Sequence, residues 1–148
     1  MSSLEEIKAR YPDPRSALLP ALYLAQKELG WLNPEALSQV AKTLNLPEAA
    51  VRGTATFYSM FRKEAVGRHL IQLCTNVSCM ILGAERLVEW LETRYGLVPG
   101  GTTSDGRFSL VVMECIGACG TGPAMLVDTD FFEDLSEDNL EAILERYK

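Results

Sequence analysis

The sequence has one histidine in 148 residues, no Cys-x-x-Cys pair, no Gly-x-Gly-x-x-Gly loop and no cluster of Lys and Arg. Each lack removes a class of function. Without a basic cluster on a chain of formal net charge −6, nothing neutralises a phosphate backbone, so nucleic-acid binding is not expected. Without the glycine-rich fingerprint after a strand, a dinucleotide site on this chain is not expected. Without Cys-x-x-Cys at a helix start, a dithiol redox motif is missing. Apolar runs are short: residues 17–19 and 21–25 are interrupted by Pro20, far below the roughly 18 residues of a membrane helix. The first residues, Met1-Ser2-Ser3-Leu4-Glu5-Glu6-Ile7, place acids where a secretory signal needs a basic start and an apolar core. A soluble protein in a reducing compartment is expected.

What is present is ordinary globular composition, 47% hydrophobic and 23% charged. A chain of this length forms one domain, or a small domain with an appendage, and buries enough surface to fold without disulfide staples. The pattern changes near residue 64. Residues 1–64 read as an N-terminal helical bundle without cysteine; residues 65–148 alternate β-like runs with helices and hold every cysteine.

In the first part, helices are predicted over residues 4–10 and 16–29. Leu18, Leu22, Ala25 and Leu29 are at helical spacing, Gly30 is the stop, and Pro20 signals a kink or a late start. Asn33 as N-cap and Pro34 at the first helical position open a third helix, whose apolar face is Leu37, Val40, Ala41 and Leu44. A fourth should start at Pro47 and fade near Gly53. The aromatic-rich run from Thr54 to Phe61 reads either as core packing or as a docking surface.

The second part begins with a strand over residues 69–73 running into Cys74. A helix over 81–95 follows, its stripe made of Ala84, Leu87, Val88, Leu91 and Tyr95. Strands are predicted over 108–113, leading into Cys115, and over 124–127, with a short run at Phe131-Phe132. Ser136 caps a final helix, with Glu137 and Asp138 in its first turn. One right-handed crossover and two hairpins give an α/β (α+β) unit: a small mixed four-stranded sheet with helices on its faces, in thioredoxin-like order.

Cys74, Cys79, Cys115 and Cys119 are spaced Cys-x4-Cys and Cys-x3-Cys, each pair starting where a strand ends. If the two strands are parallel neighbours, four thiols reach one edge of the sheet. Disulfides, a dithiol, structural zinc and an iron–sulfur cluster are the four readings. A reducing compartment weighs against the first, the spacing against the second, and the lack of a Cys-x2-Cys knuckle against zinc. A [2Fe–2S] rhomb takes two thiolates on each iron and suits wider loops. Gly117, Gly120 and Gly122 allow close backbone approach around the second pair, while Ser78 and Thr75 are candidate hydrogen-bond donors. Cys79 is expected to open the following helix and meet its positive end. One histidine, His69, is too few for a Rieske centre and reads as a strand-edge residue.

The segments Cys74-Thr75-Asn76-Val77-Ser78-Cys79 and Glu114-Cys115-Ile116-Gly117-Ala118-Cys119-Gly120-Thr121-Gly122-Pro123-Ala124, with Gln26 to Leu32 and Gly53 to Phe61 upstream, resemble the 24-kDa subunit family of respiratory NADH–quinone oxidoreductase (complex I). The likeness runs from about residue 14 to 147. It implies a thioredoxin-like [2Fe–2S] domain held by Cys74, Cys79, Cys115 and Cys119, behind a helical extension that docks partners. It further implies an F-type flavoprotein partner, which holds FMN, binds and oxidises NADH and carries a [4Fe–4S] cluster. Other peripheral-arm subunits and a cytoplasmic place at the inner face of the cell membrane are implied too. The equivalent subunits of NAD-reducing hydrogenases and NAD-dependent formate dehydrogenases share these motifs. A zinc-stabilised interaction module is the alternative of another class. Gly122 stands where the family usually has alanine, and Asp128 where asparagine is frequent; a charge at 128 would lower the cluster potential if it lay close.

Overall fold

Apolar spacing and caps account for the first part of the chain. The computed structural model describes residues 2–148 and divides the chain into two compact units, Met1–Ala65 and Val66–Lys148. The first holds α1 (Ser2–Ala9), α2 (Leu18–Leu29), α3 (Pro34–Leu44) and α4 (Glu48–Phe57). Pro20 falls in the first turn of α2, where its missing N–H costs nothing, and the helix starts late, at Leu18. Gly30, at φ 80°, ends it and donates its N–H to the Gln26 carbonyl. Asn33 Oδ1 accepts the Ala36 N–H at 2.7 Å and opens α3, and Asn45 closes it in the left-handed region. Leu22, Val40, Leu44, Val51 and Phe61 are each at most 1% exposed and form the bundle core.

α4 runs four residues beyond Gly53, against the expected fade. Val51 and Ala55, four apart, both bury into the bundle, and Thr54 and Thr56 hydroxyls bond back to the carbonyls of Ala50 and Arg52. Burial of that face outweighs the roughly 1 kcal/mol a mid-helix glycine costs. The aromatic run at its end divides: Phe61 is core, and Phe57 is 81% exposed.

The second unit contains β1 (His69–Cys74), α5 (Val77–Ile81), α6 (Ala84–Tyr95), β2 (Phe108–Met113), β3 (Met125–Val127), β4 (Asp130–Phe132) and α7 (Glu137–Leu144). The sheet order is β2-β1-β3-β4, with β1 parallel to β2 and the other pairs antiparallel. Ile71, Leu73, Leu110, Met125 and Val127 lie on one face of this sheet. They pack with Leu87 and Leu91 of α6 and with Leu140 and Leu144 of α7. Both helices therefore join the core of one face, where the sequence pattern pointed to helices on both. The row on the other face is left half-buried at Gln72 and Leu126 and exposed at Val111 and Phe131.

The expected helix over 81–95 is two helices. Gly83, at φ 100°, breaks the chain between α5 and α6, a conformation β-carbon-bearing residues avoid. Ser136 and Asn139 form a reciprocal capping box at the start of α7. At its other end Arg107, just before β2, donates to the carbonyls of Leu144 (2.7 Å) and Tyr147, and its guanidinium lies 4.5 Å over the Phe108 ring. These charge-assisted bonds close the end of α7 onto the sheet. Arg107→Ala should lower the unfolding free energy by about 1.5–3 kcal/mol, read from denaturant midpoints; an unchanged midpoint would show that the clamp is inert.

Candidate functional site

The register of β1 on β2 pairs Cys74 with Met113, so both strands finish at the same level. Cys74 is the last residue of β1, and Cys115 follows β2 by two residues. The two loops are then laced to the sheet by backbone bonds. Cys74 N–H donates to the Ala124 carbonyl at 3.0 Å and Thr75 N–H to the Met113 carbonyl at 3.1 Å. The second loop is held from beyond: Asp134 and Leu135 N–H groups donate to the Thr121 and Pro123 carbonyls, and the Thr121 hydroxyl bonds to Glu133. The Gly122–Pro123 peptide is cis.

All four cysteines are free thiols. The pairs differ in environment: Cys74 and Cys79 are each 1% exposed, packed with Ala84 and Ile116, whereas Cys115 and Cys119 are exposed. Cys74 interacts electrostatically with Cys79 and Cys115, and Cys79 with Cys119. Thus the fold brings the four predicted cysteines into one neighbourhood. Among the described residues no three Cys, His, Asp or Glu side chains are gathered as a single ion would need. A [2Fe–2S] rhomb is longer than one ion and takes two thiolates on each iron, so the wider spread of these sulfurs is compatible with it.

The loop amides fit such a group. Burial raises the Cys74 thiol, but N–H groups of Asn76 and Ile116, with the Cys79 and Cys115 thiols, outweigh it and hold Cys74 below its ordinary value. Burial, then the Cys74 thiol beside it, pushes Cys79 up, opposed by the Ala124 N–H. Gly117, at φ 87°, turns its N–H back to the Cys115 sulfur at 3.4 Å. Two of these donors cross between loops: Ile116 and Ala124, of the second loop, serve sulfurs of the first. Metal-bound thiolates carry net negative charge, and amides aimed at the sulfurs offset it.

The structure corrects several expectations. The sulfur donors found are backbone amides, as the close backbone approach allowed by the loop glycines suggests, and the hydroxyls of Thr75 and Ser78 are not among them. Cys79 is the third residue of α5 and does not open a long helix; a five-residue helix with no side-chain cap contributes little dipole. His69 begins the inner strand β1 and is not at a sheet edge. Its Nδ1 lies 2.8 Å from Asp128 Oδ2, while Asp128 Oδ1 accepts the Leu70 N–H at 2.9 Å. His69 is five residues, roughly 17 Å, along β1 from Cys74. Asp128 is therefore at the far end of the sheet from the cysteines and is poorly placed to tune them.

An apolar patch beside Cys79 had no counterpart in the sequence expectations. On α5 and next to it, Val77, Met80, Ile81 and Leu82 are 42–75% exposed. Their short run carries no helical or strand period long enough to mark an exposed face. Neither residues 70–84 nor residues 115–127 include a charged side chain, although Glu114 stands next to Cys115 and Glu133 bonds Thr121 in the second loop.

The family model for thioredoxin-like [2Fe-2S] ferredoxins matches residues 4–148. The chain is 46% identical to an E-type subunit of NADH-quinone oxidoreductase from Rhizobium meliloti (strain 1021), covering 100% of this chain and 90% of that protein. It is 40% identical to the E-type subunit of the same oxidoreductase from Escherichia coli (strain K12), covering 99% and 88%. Among solved structures it is similar to a chain of the NAD+-reducing [NiFe]-hydrogenase in the H2-reduced state, with a TM-score of 0.76 and 26% identity over 88% of this chain. It spans only 22% of that hydrogenase chain. With its cysteine pairs at the ends of two parallel strands and the family match running from residue 4 to residue 148, the chain belongs to the thioredoxin-like [2Fe–2S] ferredoxin family.

Proposed function

We propose that this chain is the [2Fe–2S] electron-transfer subunit of an NADH-oxidising complex of the NADH–quinone oxidoreductase type, with Cys74, Cys79, Cys115 and Cys119 as the cluster ligands. The observation that carries the reading is the register of β1 on β2, which delivers both cysteine pairs to one end of the sheet. When bound, the group would supply storage of a single electron. The chain's own contribution is to hold four thiolates, offset their charge with the amides of Asn76, Ile116, Gly117 and Ala124, and keep water from Cys74 and Cys79.

The partner in this reading is an FMN-bearing, NADH-oxidising flavoprotein of the F type, with other peripheral-arm subunits around it. The uncharged patch of Val77, Met80, Ile81 and Leu82 supports a lasting contact beside the ligands, since exposed apolar patches mark interaction surfaces. The N-terminal bundle, residues 1–64, is a second docking element, supported by the exposure of Phe57. Among the described residues no helix is long and apolar enough to cross a membrane. A place at the inner face of the cell membrane, held there by partner subunits, follows from this reading. The hydrogenase neighbour supports the second reading, an equivalent component of an NAD-reducing hydrogenase. Proteins that co-purify separate the two: membrane quinone-reductase subunits favour the first, a nickel-containing protein the second.

Three outcomes are expected. Anaerobic reconstitution should give iron and acid-labile sulfide in equal amounts and an EPR signal after dithionite; the isolated chain should not oxidise NADH, whereas NADH should reduce it once the flavoprotein is added. Stoichiometric zinc without iron would instead point to an interaction module. Cys115→Ser should abolish or strongly alter the EPR spectrum, and an unaltered signal would remove Cys115 from the ligand set. Ile81→Glu places a charge in the apolar patch and should weaken co-purification with the flavoprotein by 10-fold or more, about 1.4 kcal/mol, while leaving the isolated chain's spectrum intact; undiminished binding would remove α5 from the interface.

A further inference from the structure

Gly122 is buried in the second loop, three residues after Cys119. Its φ is not among the positive ones, so the backbone there does not call for glycine. Space does. A Cβ at 122 would lie 3.0 Å from the Cys79 sulfur, 3.4 Å from Leu82 Cδ1 and 3.6 Å from the Ala118 carbonyl oxygen. Ordinary non-bonded contact between heavy atoms of this size is about 3.5–4.0 Å. The sulfur is therefore the atom that must yield. Cys79 is 1% exposed and packs with Cys74 and Ala84. A shift of the enclosed sulfur disturbs those contacts.

The neighbouring glycine differs. A Cβ at Gly120, also without positive φ, would meet nothing within 4 Å. Two glycines of one loop, two residues apart, thus have opposite surroundings: one opens to free space and the other sits against a thiol.

We propose that Gly122 is a positioning residue for the site: the face left by its missing side chain sets where the Cys79 sulfur sits, and through that sulfur the electronic properties of the bound [2Fe–2S] group. The proposal rests on Cys79 being a ligand, as in the proposed function. It differs from the ligand assignment because Gly122 touches no iron; it acts through Cys79.

The test compares the full chain, reconstituted anaerobically with iron and sulfide, as wild type, Gly122→Ala and Gly120→Ala. Readouts are the g values of the dithionite-reduced protein, the midpoint potential and the rate of iron release to a chelator. Alanine is the usual residue here in the family the sequence resembles, so Gly122→Ala should still take up the cluster but shift the g values beyond the wild-type linewidth, move the potential and change the rate of iron release, while Gly120→Ala should match wild type in all three. A Gly122→Ala spectrum, potential and release rate equal to wild type would overturn the proposal. So would equal shifts in both variants, which would make the effect a property of the loop. If Gly122→Ala does not accumulate as folded protein, Leu82→Ala/Gly122→Ala, which frees the space held by Leu82 Cδ1, is read the same way. Failure of both to fold would make Gly122 a folding residue and end the proposal. A wild-type chain that takes up no iron would instead sink the proposed function itself.

Discussion

Everything at the cysteine end hangs on the parallel pairing of β1 with β2. Parallel neighbours finish at the same edge of a sheet, so the loops that follow them are forced together however far apart they are in sequence. Had the strands paired antiparallel, the second pair would have been carried to the end where His69 and Asp128 meet. The crossover through α6 is what permits the parallel arrangement. The apolar stripe of α6, burying Leu87 and Leu91 against Ile71 and Leu110, stabilises the crossover by the usual burial of apolar surface.

On that frame the site is asymmetric. Cys74 and Cys79 are sealed among Ala84 and Ile116, and the other pair faces outward on a loop turned by Gly117. Burial alone would disfavour thiolates at the inner pair. Backbone amides reverse this for Cys74 and only moderate it for Cys79, so two adjacent thiols respond in opposite directions to one environment. The arrangement joins a dry, donor-lined inner half to an accessible outer half with an apolar rim. Such a division suits an electron carrier: the inner half fixes the group, and the outer half is where another protein can approach.

Much of this was legible in the sequence because periodicity and punctuation are local. Asn33-Pro34, Gly30 and Ser136 marked helix ends where they occur, and the strands at 69–73 and 108–113 follow from β-rich runs ending in cysteine. The four cysteines were legible as a set because their spacing is itself a chemical pattern. What escaped is non-local. Gly53 reads as a stop unless one knows that Val51 and Ala55 are buried. The long helix predicted over 81–95 hides a break at Gly83 and a preceding helix that starts before Cys79. The charge at Asp128 could be given a distance from the cysteines only once the sheet was registered. Backbone donors have no residue signature, so Ile116 and Ala124 could not be singled out from sequence.

The crossing of amides between loops has a consequence for assembly. The Cys74 sulfur depends on Ile116, and the Cys79 sulfur on Ala124, so neither Cys-x4-Cys nor Cys-x3-Cys is a finished receptor alone. The pairing of β1 with β2 is what brings the two halves of the proposed site together. A chain stalled in biosynthesis before residue 115 therefore carries only half of the proposed ligand set.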